Sequence, residues 1–310
     1  MKVTQLSLVI PVYNGADTIR RVVDDCLEHL NNFDDLEIVL VNDGSRDNSD
    51  AVCQELVVKY PRHVVYLNLA RNVGEHSAVI AGISQTTGNA IAILDDDGQN
   101  PPLEVLKLIE CLNEGHDVVY GAPTRREYNS FRNWGSKFND KVATYLIGKP
   151  PEIYLSSFKI INRMVADYII KQCNPNPYID SLVFQCTNRV SQISVQQSKR
   201  SSGSSNYTLR KLIHLWSNMM TTASILPLRI ATYVGGLFAF LGLIATVFIV
   251  AEYIILDVEV EGYVSTILGI LVFSGIQLFS LGILGEYVGR LFQNSQLSTF
   301  VIRDIHKRRP

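Results

Sequence analysis

The stretch AIAILDDDGQNPP (90–102) runs from a short apolar segment straight into three aspartates, a glycine turn and two prolines. After it, Leu103, Leu106, Ile109 and Leu112 recur at helical spacing. A strand, a polar turn and a helix follow one another within about two dozen residues. An apolar segment with no polar alternation is a strand buried on both faces, so helices must cover it above and below. The same pattern extends on either side. LSLVIPV (6–12), LEIVLVN (36–42), VVYLNL (64–69) and DVVYG (117–121) are rich in β-branched and aromatic residues. Ile19, Val22, Val23, Cys26, Leu27 and Leu30 keep a helical period between the first two. Together these segments predict a mostly parallel α/β sheet.

In such a sheet, ligands bind beyond the C-terminal strand ends, where loops and helix N-termini meet. Three polar clusters fall there: Pro11, Tyr13 and Asn14; Asn42, Asp43, Gly44 and Ser45; and Asp95, Asp96, Asp97, Gly98 and Gln99. No Gly-x-Gly-x-x-Gly follows the first strand and no Gly-x-x-x-x-Gly-Lys-Ser/Thr occurs, which disfavours dinucleotide oxidoreductases and P-loop enzymes. Asp95 and Asp97 offer hard oxygen ligands suited to Mg²⁺ or Mn²⁺ beside a diphosphate. An aspartate-rich turn accounts for the same residues without a metal. Asp43 reads either as a contact to a base or ribose or as part of a turn and helix cap. Arg71 suits a phosphate or a loop carboxylate, Gly74 an unusual backbone conformation, and His76 a general base or a structural role.

The whole chain has 310 residues, 47% hydrophobic and 19% charged, with a formal net charge of -2. Its mean hydropathy is +0.12. The charge excludes a protein built around a broad nucleic-acid-binding surface. Five cysteines without paired ligand spacing read as free thiols. The N-terminal apolar run is too short for a secretory signal, so the first domain is expected in the cytoplasm. Residues 230–251 and 262–285 carry no formal charge, and each is long enough as a helix to cross a bilayer. Acids fill the connector at Asp257, Glu259 and Glu261, whereas 199–229 holds five Lys or Arg and no acid. These features predict a transmembrane hairpin with both flanks cytoplasmic. Phe131, Trp134, Phe138, Val142 and Tyr145, and then Leu209, Leu212, Ile213, Leu215 and Trp216, predict amphipathic helices beside the membrane. The expected divisions are a catalytic domain over 1–205, an amphipathic helix over 206–229, two spans over 230–286 and a basic tail over 287–310.

The runs VIPVYNG, VNDGSRDNS, LARNVGEHSAVIAG, LDDDGQNPP, RSSGSSNYTLRKL and LGILGEYVGR occur in this order. Their order resembles that of the membrane-anchored polyprenyl-phosphate glycosyltransferases of glycosyltransferase family 2. Within that family, RNVGEHSAVIAG and QNPP look closest to the undecaprenyl-phosphate 4-deoxy-4-formamido-L-arabinose transferases, with bactoprenol glucosyltransferases also similar. The resemblance implies a GT-A, Rossmann-like domain with juxtamembrane amphipathic helices and a C-terminal two-helix transmembrane hairpin in a bacterial inner membrane. It assigns nucleotide binding to Pro11, Tyr13, Asn14, Asp43 and Arg71, and metal binding to Asp97 and Asp95. Asp95, Asp97, Gln99 and Arg200 become the catalytic set. Arg125, Arg126, Lys159, Arg200, Ser205 and Tyr207 become acceptor contacts.

The reaction so implied moves a sugar, with inversion, from a UDP- or dTDP-linked donor to undecaprenyl phosphate. The partners are donor, acceptor, bilayer and further copies of the chain, as in a tetramer, with no nucleic acid. Relatives often carry Gly-Asp-Phe-Arg where this chain has Ser156-Ser157-Phe158-Lys159, and Asp where it has Asn100. Those departures motivate a second reading, a catalytically weak scaffold or nucleotide-sugar sensor. A processive polysaccharide synthase is a third, disfavoured by the small number of expected spans.

Overall fold

The computed structural model describes residues 2–33, 35–124, 149–172, 177–197, 262–295 and 300–306, together with 232–237 and scattered helical positions up to 255. The chain forms two compact units, Met1–Tyr207 with Leu297–Pro310, and Thr208–Gln296.

The first unit alternates β1 (Gln5–Val12), α1 (Ile19–His29), β2 (Asp35–Asn42), α2 (Ser49–Lys59), β3 (Val64–Leu69), α3 (Glu75–Ile83), β4 (Ala90–Ile93) and α4 (Leu103–Asn113). It continues with β5 (Val118–Pro123), β6 (Lys159–Asn162), α5 (Arg163–Lys171), α6 (Ile179–Cys186) and β7 (Val190–Val195), and closes with β8 (Ile302–His306). The strands make one sheet in the order β7-β5-β6-β4-β1-β2-β3-β8. β1 pairs in parallel with β2 and β4, β2 with β3, and β5 with β7. β6 runs antiparallel to β4 and β5, and β8 antiparallel to β3. The sheet is therefore mostly parallel, as its continuous apolar strands require.

Period-two alternation sends Leu6, Leu8, Ile10 and Val12 of β1 into one apolar core with α1, α2 and α4. Val9, between them, joins Ile91 and Ile93 in a second core with α3, α5 and α6. Gly82 of α3 lies so close to the sheet that a Cβ there would stand 2.4 Å from Val9 Cγ1. Helices thus cover both faces. The chain leaves β1 toward β2 on one side and returns to β4 on the other, so the β1–β4 boundary is the switch point where such sheets open a crevice.

One expectation is corrected here. A membrane span has to be a helix of about 20 residues that is apolar along its length, which a charge-free run alone does not establish. Among the described residues no helix is long and apolar enough to cross a membrane. The predicted two-helix transmembrane hairpin, the membrane anchoring that it implied and the multi-pass inner-membrane location are overturned by that finding. In the second unit, α7 (Tyr263–Ser295) is one continuous helix. Residues 302–306, within the expected basic tail, add an edge strand to the sheet of the first unit. The two predicted amphipathic helices, at 131–145 and 209–216, lie outside the described residues.

Candidate active site

Three loops meet at the switch point, and backbone-to-side-chain hydrogen bonds tie them together. After β1, Asn14 takes a left-handed conformation, φ 55°. Its side-chain Oδ1 accepts from the Arg46 N–H at 2.8 Å, while its own N–H donates to Ser45 Oγ at 3.0 Å. The Gly15 N–H donates to Ser49 Oγ at 3.0 Å, joining the same loop to the start of α2. Tyr13, half exposed, donates its N–H to Asp96 Oδ2 at 3.1 Å. Gly15 packs against that carboxylate, and a Cβ there would lie 2.4 Å from Asp96 Oδ2 and force it to shift.

Asp43 sits at the end of β2 and holds the loop after β3. Its two carboxylate oxygens accept from the Val73 N–H at 2.7 Å and the Gly74 N–H at 3.0 Å. Gly74 has φ +91°, which favours glycine. Burial pushes the Asp43 carboxyl up, and the two amide hydrogen bonds oppose that shift. Arg71 lies in the loop so fixed, next to Asn72, whose amide donates to the Asp43 carbonyl at 3.0 Å.

The aspartates after β4 occupy three different environments. Asp95 Oδ2 accepts from Ser157 Oγ at 2.7 Å and from Asn100 Nδ2 at 3.1 Å. Asp97 Oδ1 accepts from the Gln99 N–H at 3.0 Å. Asp96 is pushed up to about 7, first by burial and then by its flanking aspartates, against the Tyr13 hydrogen bond that lowers it. The carboxylates of Asp95 and Asp97 are oxygen ligands of the kind that hard divalent cations take.

A buried polar cluster lies next to this acidic turn. Lys159 of β6 forms an ion pair with Asp180 of α6, and both side chains are almost wholly buried. Tyr120 donates to Asp180 at 2.8 Å. Burial alone would raise the Asp180 carboxyl, but Lys159, His76 and the hydrogen bonds outweigh it and hold it low. The edge of the His76 ring meets Tyr178 at 5.0 Å. Burial holds the His76 imidazole down to about 4. Glu75 is raised by burial and by the Asp95 charge, with Lys159 opposing.

Pro11 is the penultimate residue of β1, and Tyr13, Asn14, Asp43, Arg71, Asp95, Asp97 and Gln99 belong to the loops that follow the strands at the same edge of the sheet. Lys159, an expected acceptor contact, is instead buried against Asp180. Arg125, Arg126, Arg200, Ser205 and Tyr207 lie outside the described residues. Sequence reasoning did not single out Asp96, Glu75, Asp180 or Gln197. For Asp96 the signal was the triple aspartate itself, whereas Asp180 gains its meaning only from a partner on a distant strand. Cys111, Glu114 and His116 also converge, with ligand atoms within 4.8 Å of one another. They precede β5, which runs in the same direction as β4, so they stand at the opposite end of the sheet from Asp95 and Asp97.

Known proteins agree with this architecture. The profile described as Glycosyl transferase family 2 matches residues 7–170, and that of the GtrB C-terminal hairpin matches residues 226–291. The chain is 32% identical over 296 residues to an undecaprenyl-phosphate 4-deoxy-4-formamido-L-arabinose transferase of Proteus mirabilis, covering 94% of this chain and 91% of the relative. A Yersinia pestis protein of the same name is 32% identical over 295 residues, with coverages of 94% and 90%. Among solved structures, glucosyl-3-phosphoglycerate synthase from Mycobacterium tuberculosis, crystallised with Mn²⁺, uridine diphosphate and phosphoglyceric acid, superposes with a TM-score of 0.52 at 17% identity. That match covers 71% of this chain and 77% of the other, and supports a GT-A-like Rossmann fold. The chain belongs to glycosyl transferase family 2 and is an enzyme of the nucleotide-sugar-dependent, GT-A type.

Proposed function

We propose that this enzyme transfers a sugar from a UDP- or dTDP-linked donor to a polyprenyl phosphate such as undecaprenyl phosphate. The observation that carries the reading is the acidic turn after β4, set at the switch point beside the loops after β1 and β2. In this reading, Tyr13, Asn14, Asp43 and Arg71 surround the nucleotide, and Gln99 stands where donor sugar and acceptor phosphate meet. Asp97, with Asp95 beside it, would hold Mg²⁺ or Mn²⁺. Bound there, the cation neutralises charge on the departing nucleoside diphosphate.

The acceptor needs little help to become a nucleophile. A phosphate monoester has its second pKa near 6, so its attacking oxygen is already anionic near neutrality. No strong protein base is required. Asn100 is an amide, and His76 packs at a steep angle to Tyr178 with its imidazole held down to about 4. The chain's own contribution is then alignment: the pinned loops hold the donor so that its anomeric carbon faces the acceptor oxygen. Attack forms the new C–O bond as the bond to the diphosphate breaks, with inversion at that carbon. The likeness to the aminoarabinose transferases along nearly the whole chain supports a lipid-borne phosphate as acceptor.

The test is to incubate the full chain with undecaprenyl phosphate, Mn²⁺ and a panel of UDP- and dTDP-sugars, and then to weigh the lipid product. A mass increase of one sugar residue with one donor supports the reading. Donor hydrolysis alone, or transfer only to a water-soluble phosphate, refutes the proposed acceptor.

A further inference from the structure

We infer that Ser157, Asn100 and Gln197 are positioning residues that set the orientation of the Asp95 carboxylate. This deepens, and rests on, the reading of the acidic turn as the donor site. Two parts of the chain donate to one side-chain oxygen, and a third holds one of those donors. Ser157, just before β6, donates to Asp95 Oδ2 at 2.7 Å. Asn100, between the acidic turn and α4, donates its amide to the same oxygen at 3.1 Å. Gln197, just past β7, donates to Asn100 Oδ1 at 3.2 Å.

The chemistry of these three side chains explains their arrangement. A carboxylate on a short side chain rotates readily, and a single hydrogen bond leaves its plane undefined. Two donors on one oxygen, arriving from different elements, fix both the plane and the direction in which the second oxygen points. Asn100 performs this task only in one of its two amide orientations, since its NH₂ must face Asp95. Gln197 selects that orientation by donating to the oxygen at the other end of the same amide. Asn100 is buried, so the wrong orientation would leave its carbonyl oxygen against the carboxylate. Serine and two amides do this without adding charge. A lysine or arginine in their place would neutralise Asp95, and a further carboxylate would repel it. The arrangement therefore keeps the negative charge of the turn available while holding one of its members still. It also links Asp95 to residue 197, three positions before Arg200 in the chain.

The test compares the affinity of the full chain for UDP in the presence of Mn²⁺, by titration calorimetry, across conservative variants whose thermal midpoints are recorded alongside. Asn100→Asp keeps size and shape but replaces the donor with a repelling oxygen. Ser157→Ala removes one donor, and Ser157→Thr restores it. The expected result is an affinity loss of about tenfold in Asn100→Asp and Ser157→Ala, the worth of one hydrogen bond to a charged group. Ser157→Thr should return to within about twofold of the parent, and Gln197→Ala should fall between, all at midpoints close to the parent. A purely structural role would lower the midpoints and would not follow the presence of the hydroxyl. Parent-like affinity in both Asn100→Asp and Ser157→Ala overturns the inference, provided that Asp95→Asn and Asp97→Asn lose binding. If those two also bind as the parent does, the donor-site reading itself has failed.

Discussion

Lys159 on β6 and Asp180 on α6 form a buried ion pair that joins the strand beside β4 to the helical layer behind the acidic turn. The Lys159 ammonium also stands 5.0 Å over the Tyr120 ring, whose hydroxyl shares Asp180. Both charges have left water, so their mutual attraction and the tyrosine hydrogen bond must offset a large desolvation cost. Removing one partner leaves the other charged and buried. Lys159→Met is expected to lower unfolding stability by about 3–5 kcal/mol in denaturant titrations. The double variant Lys159→Met/Asp180→Leu should recover much of that loss. An equal loss in the double variant would show that packing, rather than the uncompensated charge, is responsible.

His76 makes stability depend on pH in a defined window. In the unfolded chain an imidazole takes up its proton near 6.5, whereas burial holds His76 down to about 4 in the folded protein. Between those values the unfolded state binds more protons, so stability is full above about 6.5 and declines as the pH falls toward about 4. The size of the decline is on the order of 3 kcal/mol. Asp180, whose carboxyl is held low, adds its own loss only at more acidic pH. Asp96, pushed up to about 7, contributes in the opposite sense across the same window. In His76→Gln, denaturant midpoints measured between pH 7 and pH 4 should shift in slope toward greater stability at low pH. An unchanged slope would mean that other groups carry the acid sensitivity.

Gly82 tests the close approach of α3 to the sheet. Alanine is favoured over glycine inside a helix by about 1 kcal/mol, which on its own predicts stabilisation. Against this, the added Cβ would meet Val9 Cγ1 at 2.4 Å and Val41 Cγ2 at 2.9 Å, both in the packed second core. Overpacking of that kind costs about 1–3 kcal/mol. The clash should win, giving Gly82→Ala a net loss of about 1–2 kcal/mol by thermal or denaturant unfolding. Adding Val9→Ala should make the Gly82→Ala substitution less costly than it is alone. A stabilised Gly82→Ala would refute the packing argument.

The edge strand β8 bears on the loop that carries Arg71. The Ala70 N–H donates to the Val301 carbonyl at 2.9 Å, and His306 stacks on Tyr66 with ring centroids 5.8 Å apart. Ile305→Pro removes a backbone donor from this ladder. Amide exchange should then quicken along Tyr66–Ala70, and affinity for UDP with Mn²⁺ should weaken several-fold. Unchanged exchange at Ala70 would show that β8 does not hold that loop.

Much of the sheet was legible in the sequence, for a physical reason. β1 to β4 are buried on both faces, so their apolar runs stand out, and their polar turns mark the strand ends where loops converge. β5 was readable from its VVY run in the same way, whereas β6, β7 and β8 lacked that signal. β6 has four residues and a buried lysine, and only Asp180, far along the chain, makes that lysine tolerable. β7 alternates with half-exposed polar residues, and β8 lies among basic residues that read as a solvated tail. At the site, residue types were readable but their partners were not. Asp43 read either as a contact for a base or as part of a turn, and the sequence did not show that its oxygens accept the backbone N–H groups of Val73 and Gly74 in the neighbouring loop. The charge-free C-terminal runs led to a predicted hairpin because formal charge is visible in sequence; among the described residues no helix is long and apolar enough to cross a membrane.

The central claim is that the Asp95–Asp97 turn grips a donor diphosphate through a divalent cation. The most direct measurement is the binding of UDP to the full chain by calorimetry, with Mn²⁺ and with chelator, for the parent and for Asp97→Asn. The account predicts saturable binding that requires Mn²⁺ and weakens at least tenfold in Asp97→Asn while the fold is retained. UDP binding of equal strength with chelator, or unaffected by Asp97→Asn, would contradict it.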